Sequence, residues 1–358
     1  MKFSVASISV LVSLATALPR TPAVEKRAAL EPFVGTNAYW LPFLTDDADV
    51  DKTFQALNDA GLKVVRTWGF NDATDCNEVH FQCWSGSTPT INTGANGLQR
   101  LDSVVRSAEA HDVQLIIPFV NNWGDYGGMD VYVSALGGAD HNAFYTDAAI
   151  QDAYKNYAST IVNRYKNSTA IYAWELGNEP RCTGCEASVI TKWATTMSAY
   201  IKSLDSDHMV TLGDEGFFNR PGDPSYPYQG GDGVDFEANL KIETLDFGTF
   251  HLYTESWGQN YEWGNQWIAD HADACAAAGK SCVFEEYGVP EDGATRDRVM
   301  AEWHDTILAN ATDIPADLYW QFGLTLSAGK THDDTYTIYV DEDNFQTLVV
   351  DWAVERTA

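Results

Sequence analysis

The chain has 358 residues and sets 22 basic against 51 acidic side chains, a formal net charge of −29. A surface of that sign repels phosphate backbones and anionic lipid, so nucleic acid and membrane are excluded as partners. A neutral ligand is compatible with it, as is a chain that is acidic only because it must stay soluble.

The amino end has the pattern of an export leader. Lys2 precedes an apolar stretch from Val5 to Leu18 that contains Ala15-Thr16-Ala17 and is too short to span a membrane. Lys26-Arg27 closes a short polar segment, and a dibasic pair is a common maturation cut in exported chains. We expect a signal peptide over 1–17, a propeptide over 18–27 and a secreted, extracellular domain over 28–358. An ordered helix of the domain is the alternative for the leader, and the cleavage signals disfavour it. Without residues 1–27 the balance is 18 basic to 50 acidic, about −32.

About 330 residues then remain, enough for two ordinary domains or one large α/β barrel. No Ser-, Thr-, Pro- or Gly-rich run is long enough to tether a second module, and no fixed-period repeat is present. One continuous domain, a monomer, is expected.

Short β-branched or aromatic runs recur, each followed by a loop and a stretch of helical periodicity, as in a parallel sheet built from βα units. The runs are 33–37, 62–67, 113–120, 171–176, 209–213, 247–252, 282–286 and 318–322. After the first, Val50, Phe54 and Leu57 share a helical face that ends at Gly61, a usual residue just past a helix. Leu101, Val104, Val105 and Ala108 follow the second; Ile150, Tyr154, Tyr157, Ile161 and Tyr165 follow the third. Trp193, Met197, Tyr200, Ile201 and Leu204 follow the fourth. The unit after the fifth is weak, because 219–235 is rich in Gly and Pro. Eight such units predict a (β/α)₈ barrel in the α/β class.

Six cysteines in an exported chain read as disulfides, although six allow 15 connectivities. Their spacing suggests local pairs: Cys76 with Cys83, Cys182 with Cys185, Cys275 with Cys282. Each small loop would contribute about 2 to 3 kcal/mol in the chain-entropy description. A redox or zinc role for Cys182-Thr183-Gly184-Cys185 is disfavoured by the oxidising setting and by the lack of a second such pair.

A barrel of this kind carries its chemistry at the carboxyl ends of its strands. There the chain has Arg66 and Trp68, Asn122 and Trp123, Asn178 and Glu179, Glu215, His251 and Tyr253, Glu286, and Trp320. Glu179 and Glu286, 107 positions apart, end runs four and seven, across the mouth from each other. Two facing carboxyls are what glycoside hydrolysis needs, and retention requires them about 5 to 5.5 Å apart.

The order Arg66-Thr67-Trp68, Asn178-Glu179-Pro180, His251-Leu252-Tyr253, Glu286-Tyr287-Gly288 and Trp320 resembles glycoside hydrolase family 5. More narrowly, Arg66-Thr67-Trp68-Gly69-Phe70, Asn178-Glu179-Pro180-Arg181-Cys182 and Tyr319-Trp320-Gln321-Phe322-Gly323 are similar to its fungal endo-β-1,4-mannanases. The likeness covers nearly all of 28–358. It implies β-mannan polysaccharide and manno-oligosaccharides as substrate, Glu179 as acid/base and Glu286 as nucleophile. Arg66 would hold Glu286 ionised, Tyr253 and His251 would bond the nucleophile and the sugar, and Asn178 would reach the 2-hydroxyl. Trp320 would meet the sugar in the cleaved subsite, Trp123, Arg181 and Glu215 the leaving-group side, and Trp68 and Arg66 are counted among the substrate-binding residues. No cofactor and no metal are implied, and His251 has no second histidine spaced to join it in a metal site.

Competing readings stay open at this level. Arg66 could serve only to neutralise Glu175, and the tryptophans could be core. Strand alternation lets only one of Glu285 and Glu286 face the mouth, sending the other toward helices or a neighbouring loop. The likeness selects Glu286, which directly precedes Tyr287-Gly288. A β-1,4-glucanase would use the same carboxylates, and a carbohydrate-binding barrel without turnover would not need both. Asn167-Ser168-Thr169 and Asn310-Ala311-Thr312 match the N-glycosylation acceptor.

Overall fold

The computed structural model describes residues 30–290 and 293–358, and the expected signal peptide and propeptide lie outside them. Eight parallel strands form one sheet: β1 Phe33–Asn37, β2 Val64–Arg66, β3 Gln114–Pro118, β4 Ile171–Glu175, β5 Met209–Thr211, β6 Gly248–Leu252, β7 Cys282–Tyr287 and β8 Ala316–Tyr319. Each falls on one of the expected runs, with β8 starting two residues early. β1 pairs with both β2 and β8, Gly35 standing opposite Val64 on one side and Leu318 on the other, so the sheet curls round on itself. β5 and β6 lack a ladder. Their seam is closed by the Asp246 N–H on the Val210 carbonyl (2.7 Å), the Val210 N–H on the Asp246 carboxylate (2.7 Å) and the Thr211 hydroxyl on the Phe247 carbonyl (3.1 Å). The (β/α)₈ barrel read from the sequence is the fold.

The helices follow their sequence signals. α1 (Asp47–Asp59) starts where the Asp46 carboxylate accepts the Ala48 N–H (2.9 Å) and stops before Gly61, whose φ of 77° reverses the chain. Val50, Phe54 and Leu57 are its buried face. α2 (Leu98–Ala110), α4 (Ala148–Tyr165) and α5 (Ser188–Leu204) bury their expected stripes, except that Tyr200 and Leu204 are only half-buried. α3 (Gly128–Leu136) is an additional helix before α4. After β5 only the four-residue α6 (Phe236–Asn239) forms, as its Gly- and Pro-rich approach implied. α7 (Tyr261–Ala278), α8 (Ala294–Ala309) and α9 (Trp352–Arg356) complete the ring. Among the described residues no helix is long and apolar enough to cross a membrane.

Phe33, Val64, Ile116, Ala173, Phe247, Val283, Ala316 and Leu318 form a separate apolar cluster at the amino ends of the strands. That plug confines polar chemistry to the opposite end. Three disulfides are present: Cys76–Cys83, Cys182–Cys185 and Cys275–Cys282, with Cα separations of 5.9, 5.4 and 6.2 Å. The first pins a small sheet (Asp72–Ala73, Gln82–Ser85, Thr88–Ile91) between β2 and α2, which the βα pattern did not anticipate.

Candidate active site

Glu179 lies just past β4 with φ at 51°, left-handed backbone that costs a non-glycine residue about 1 to 2 kcal/mol. Its N–H bonds the Gly213 carbonyl (2.8 Å), which holds the turn. Gly213 has φ at 83°, and a Cβ there would stand 2.2 Å from Glu175 Oε1, so the crossing requires glycine.

Glu285 and Glu286 correct the alternation expectation. The register of β7 on β6 shifts between Phe284 and Glu286, a bulge that brings both carboxylates to the inner side. Glu286 accepts from Arg66 Nη1 and from the Tyr253 hydroxyl (2.6 Å). Glu285 Oε2 stands 3.3 Å from His251 Nε2 and 3.7 Å from Arg66 Nε.

Arg66 does both of the jobs open to it. Its Nε and Nη2 each donate to a Glu175 oxygen at 2.7 Å, Nη2 also donates to Asn178 Oδ1 (2.7 Å), and Nη1 reaches Glu286. His251 bonds Glu179 Oε1 through Nδ1 (2.8 Å), with Glu286 farther off at 3.6 Å. Its strong bond is therefore to Glu179, where contact with the nucleophile was expected. Arg66 and His251 are both 0% exposed and absent from the cleft wall. Every polar side-chain atom of the two is spent on carboxylates and carboxamides.

Burial pushes Glu286 up, the His251 and Arg66 charges pull it down, and Glu179 adds to the rise, leaving it above the usual carboxylate range. Burial also raises Glu179, but hydrogen bonds from His251 and Trp123 Nε1 (2.5 Å) and the Arg181 charge bring it below that range. For His251, burial works downward and is overcome by Glu286, Glu179 and Glu285, so the ring is held well above the ordinary imidazole value. His251 Nδ1 and Glu179 Oε1 are thus two groups of opposite tendency joined by one 2.8 Å bond.

The cleft above these groups has a volume of about 1130 Å³. Trp68, Trp123, Asn178, Glu179, Arg181, Glu215, Tyr253, Glu286 and Trp320 line it, all of them expected site residues. Trp123 is 41% exposed, which rules out core packing as its role. Arg181 lies over the Trp123 ring at 4.9 Å and grips Glu215 through two bonds of 2.6 and 2.7 Å. Tyr39 stacks on Trp320 with ring centroids 5.6 Å apart, and Tyr126 and Phe43 stack at 4.6 Å farther along that wall. Asp334 accepts from Trp320 Nε1 (2.6 Å) and Gln321 Nε2 (2.8 Å). Sequence reasoning missed Tyr39, which a survey of the β1 end would have found, and Asp334, whose loop carries no motif.

Nδ1 of His251 and one oxygen each of Glu179 and Glu286 lie within 4.8 Å of one another, a donor set that could hold a cation. The Arg66 guanidinium already supplies positive charge there, and donors occupy the remaining carboxylate oxygens. Cys76, His80 and Cys83 also cluster, but both sulfurs are in the disulfide.

Two buried carboxylates facing one another over an aromatic cleft, at the mouth of a (β/α)₈ barrel, have a counterpart among known proteins. A family described as Cellulase (glycosyl hydrolase family 5) matches residues 27–323. The chain belongs to glycosyl hydrolase family 5. Within that family it is 54% identical to mannan endo-1,4-beta-mannosidase A of Hypocrea jecorina, over 88% of this chain and 72% of the relative. It is 50% identical to the protein of that name from Aspergillus aculeatus, over 98% and 96%. The solved endo-1,4-beta-mannanase of Rhizomucor miehei superposes with a TM-score of 0.85 at 40% identity, covering 91% of this chain and 95% of that one.

Proposed function

We propose that this family 5 chain is a secreted endo-β-1,4-mannanase that cleaves internal bonds of mannan, galactomannan and glucomannan with retention. One observation carries the mechanism: a carboxylate oxygen of Glu179 and one of Glu286 lie within 4.8 Å of each other, which favours the short spacing of a retaining pair over the wider gap that holds the water of an inverting enzyme. Arg66 and Tyr253 only donate to Glu286, which suits a carboxylate that attacks the anomeric carbon. Glu179 protonates the leaving oxygen and then, as base, takes a proton from the water that releases the sugar. Asn178, locked between Arg66 and Asn121 (2.9 Å), is oriented for the 2-hydroxyl. Trp68 and Trp320 would bed the sugar in the cleaved subsite, and Trp123, Arg181 and Glu215 would hold the leaving-group side. The names of the relatives supply the choice of mannose over glucose. Export rests on the leader pattern and three disulfides, with Asn167, exposed after α4, and the half-buried Asn310 as glycan sites. The acidic surface favours a monomer.

Release of reducing ends from galactomannan, set beside soluble cellulose, tests the reading. Turnover of galactomannan well above cellulose is expected. Preference for cellulose would make the chain a glucanase, and no turnover of either would leave a binding barrel. A fluorinated mannoside should trap the glycosyl-enzyme, and peptide mass spectrometry should find the label on Glu286; label on Glu285 would overturn the assignment.

A further inference from the structure

Two glutamates sit side by side on β7, and the chemistry above uses only Glu286. Glu285 is fully buried, and the bulge that aims Glu286 at the cleft turns Glu285 inward as well. A buried carboxylate is costly unless it is paired. Its Oε1 has no hydrogen-bond partner among the described residues, and its Oε2 is 3.3 Å from His251 Nε2 and 3.7 Å from Arg66 Nε. Arg66 is already engaged by Glu175 at 2.7 Å and by Glu286. That leaves the His251 ring as the group on which Glu285 can act most directly.

The surroundings of His251 define what that action is. Glu179 faces Nδ1 at 2.8 Å and Glu286 at 3.6 Å, while Glu175, Asp214 and Glu215 act on the ring through space and Arg66 is the opposing cation. With Glu285 Oε2 as the acceptor of the 3.3 Å contact, Nε2 carries the hydrogen. Nδ1 then has two states. It donates to ionised Glu179 when the ring is charged, or accepts from protonated Glu179 when the ring is neutral. The states differ by the position of one proton along one hydrogen bond.

We propose that Glu285 is a positioning residue that fixes the Nε2–H tautomer of His251, so that the ring and Glu179 share the single proton used in catalysis. The inference rests on the reading of Glu179 as acid/base. In the first half-reaction the proton passes from Nδ1 to Glu179 and on to the leaving oxygen; the glycosidic C–O bond breaks as Glu286 bonds the anomeric carbon. In the second, water attacks that carbon, the bond to Glu286 breaks, and Glu179 takes the water's proton, which returns along the same hydrogen bond.

Glu285→Gln removes the charge that favours a protonated ring. The alkaline limb of kcat/KM on galactomannan should move toward acid by about one pH unit or more, as expected for loss of an opposite charge within hydrogen-bonding reach. Glu285→Asp, which keeps the charge, should bring the limb back toward its wild-type position. A purely structural residue would lower kcat/KM equally at all pH values and leave both limbs in place, and that outcome overturns the proposal. A second readout needs neither turnover nor a folded variant at position 285. In wild-type protein labelled with ¹⁵N-histidine, the His251 signals, assigned by their loss in His251→Asn, should show that Nε2 keeps its hydrogen on the alkaline side of the ring's titration, where the ring holds only one. An unprotonated Nε2 in that range overturns the proposal even if the functional reading stands, and a protonated one supports it even if galactomannan is not the substrate.

Discussion

Individual residues divide by what surrounds them. Glu286 and Glu179 are both buried carboxylates, yet Glu286 is held by two permanent donors, whereas Glu179 has one, Trp123 Nε1, and a ring nitrogen that can change roles. That difference supports the proposed roles of nucleophile for Glu286 and acid/base for Glu179. Glu179→Gln should therefore cut turnover on galactomannan on the order of 100- to 10,000-fold, the usual worth of a positioned acid. Hydrolysis of a dinitrophenyl mannoside should keep a normal first step, because its leaving group needs no proton, and a burst of released phenol would register it. Equal loss on both substrates would remove Glu179 from the acid role. At this scale much of the site was legible, since Arg66, Asn178, Glu179, His251 and Glu286 close their strands in a recognisable order. The inward turn of Glu285 was not, because alternation assumes an unbroken ladder and nothing in Phe284-Glu285-Glu286 announces a bulge.

At the scale of elements, the loops after the strands decide how many sugars the cleft can hold. The stretch after β8 turns back so that Asp334, 14 residues beyond Trp320, fixes the indole and the Gln321 amide together. Loss of one such bond is worth about 1 to 1.5 kcal/mol, roughly tenfold in binding. Asp334→Ala should raise KM for mannotetraose by up to about that factor with kcat little changed; a fall in kcat at constant KM would mean that Asp334 acts on the chemistry. Across the cleft, Trp123→Ala and Arg181→Ala should weaken productive binding of mannotriose more than of long mannan, because a polymer can engage the remaining subsites. Equal losses would exclude a distal subsite there. Strand and helix positions could be read from period and capping: Asp46 and Gly61 bracket α1 as their types require. The small sheet over 72–91 could not, being built of short strands with no apolar stripe, and neither could Asp334, whose loop carries no motif.

At the scale of the whole molecule, the barrel was countable from eight runs of the right length, whereas its inner ionisation could not be read from a sequence with 51 acidic residues. Burial decides it. Asp72 and Asp214 are each pushed up to about 7, chiefly by desolvation, against hydrogen bonds from Gln82 and Trp84 to the first and from Asn239 to the second. A carboxyl whose folded value exceeds its unfolded one gives stability that is fully present below the unfolded value, near 3.8. That stability is lost as pH rises through the folded value, so the loss should run from about pH 4 to pH 7. Asp102 and Asp205 act oppositely. Burial raises both, but bonds from Arg164 and Trp174 outweigh it and hold them low, so their contribution disappears on acidification. The melting temperature should accordingly peak in the mildly acidic range and decline toward pH 8, where repulsion within a −29 surface adds to the loss. Asp72→Asn isolates the buried share. Asp72 Oδ2 and Gln82 Oε1 are both buried without a hydrogen-bond partner among the described residues, and a carboxamide brings the missing donor without a charge. The variant should gain a few kcal/mol over wild type at pH 8, since each pH unit of displacement is worth about 1.4 kcal/mol, and little or nothing at pH 4. Calorimetric unfolding at the two pH values decides the matter: a difference from wild type that is the same at both would show that Asp72 is not protonated in the folded chain.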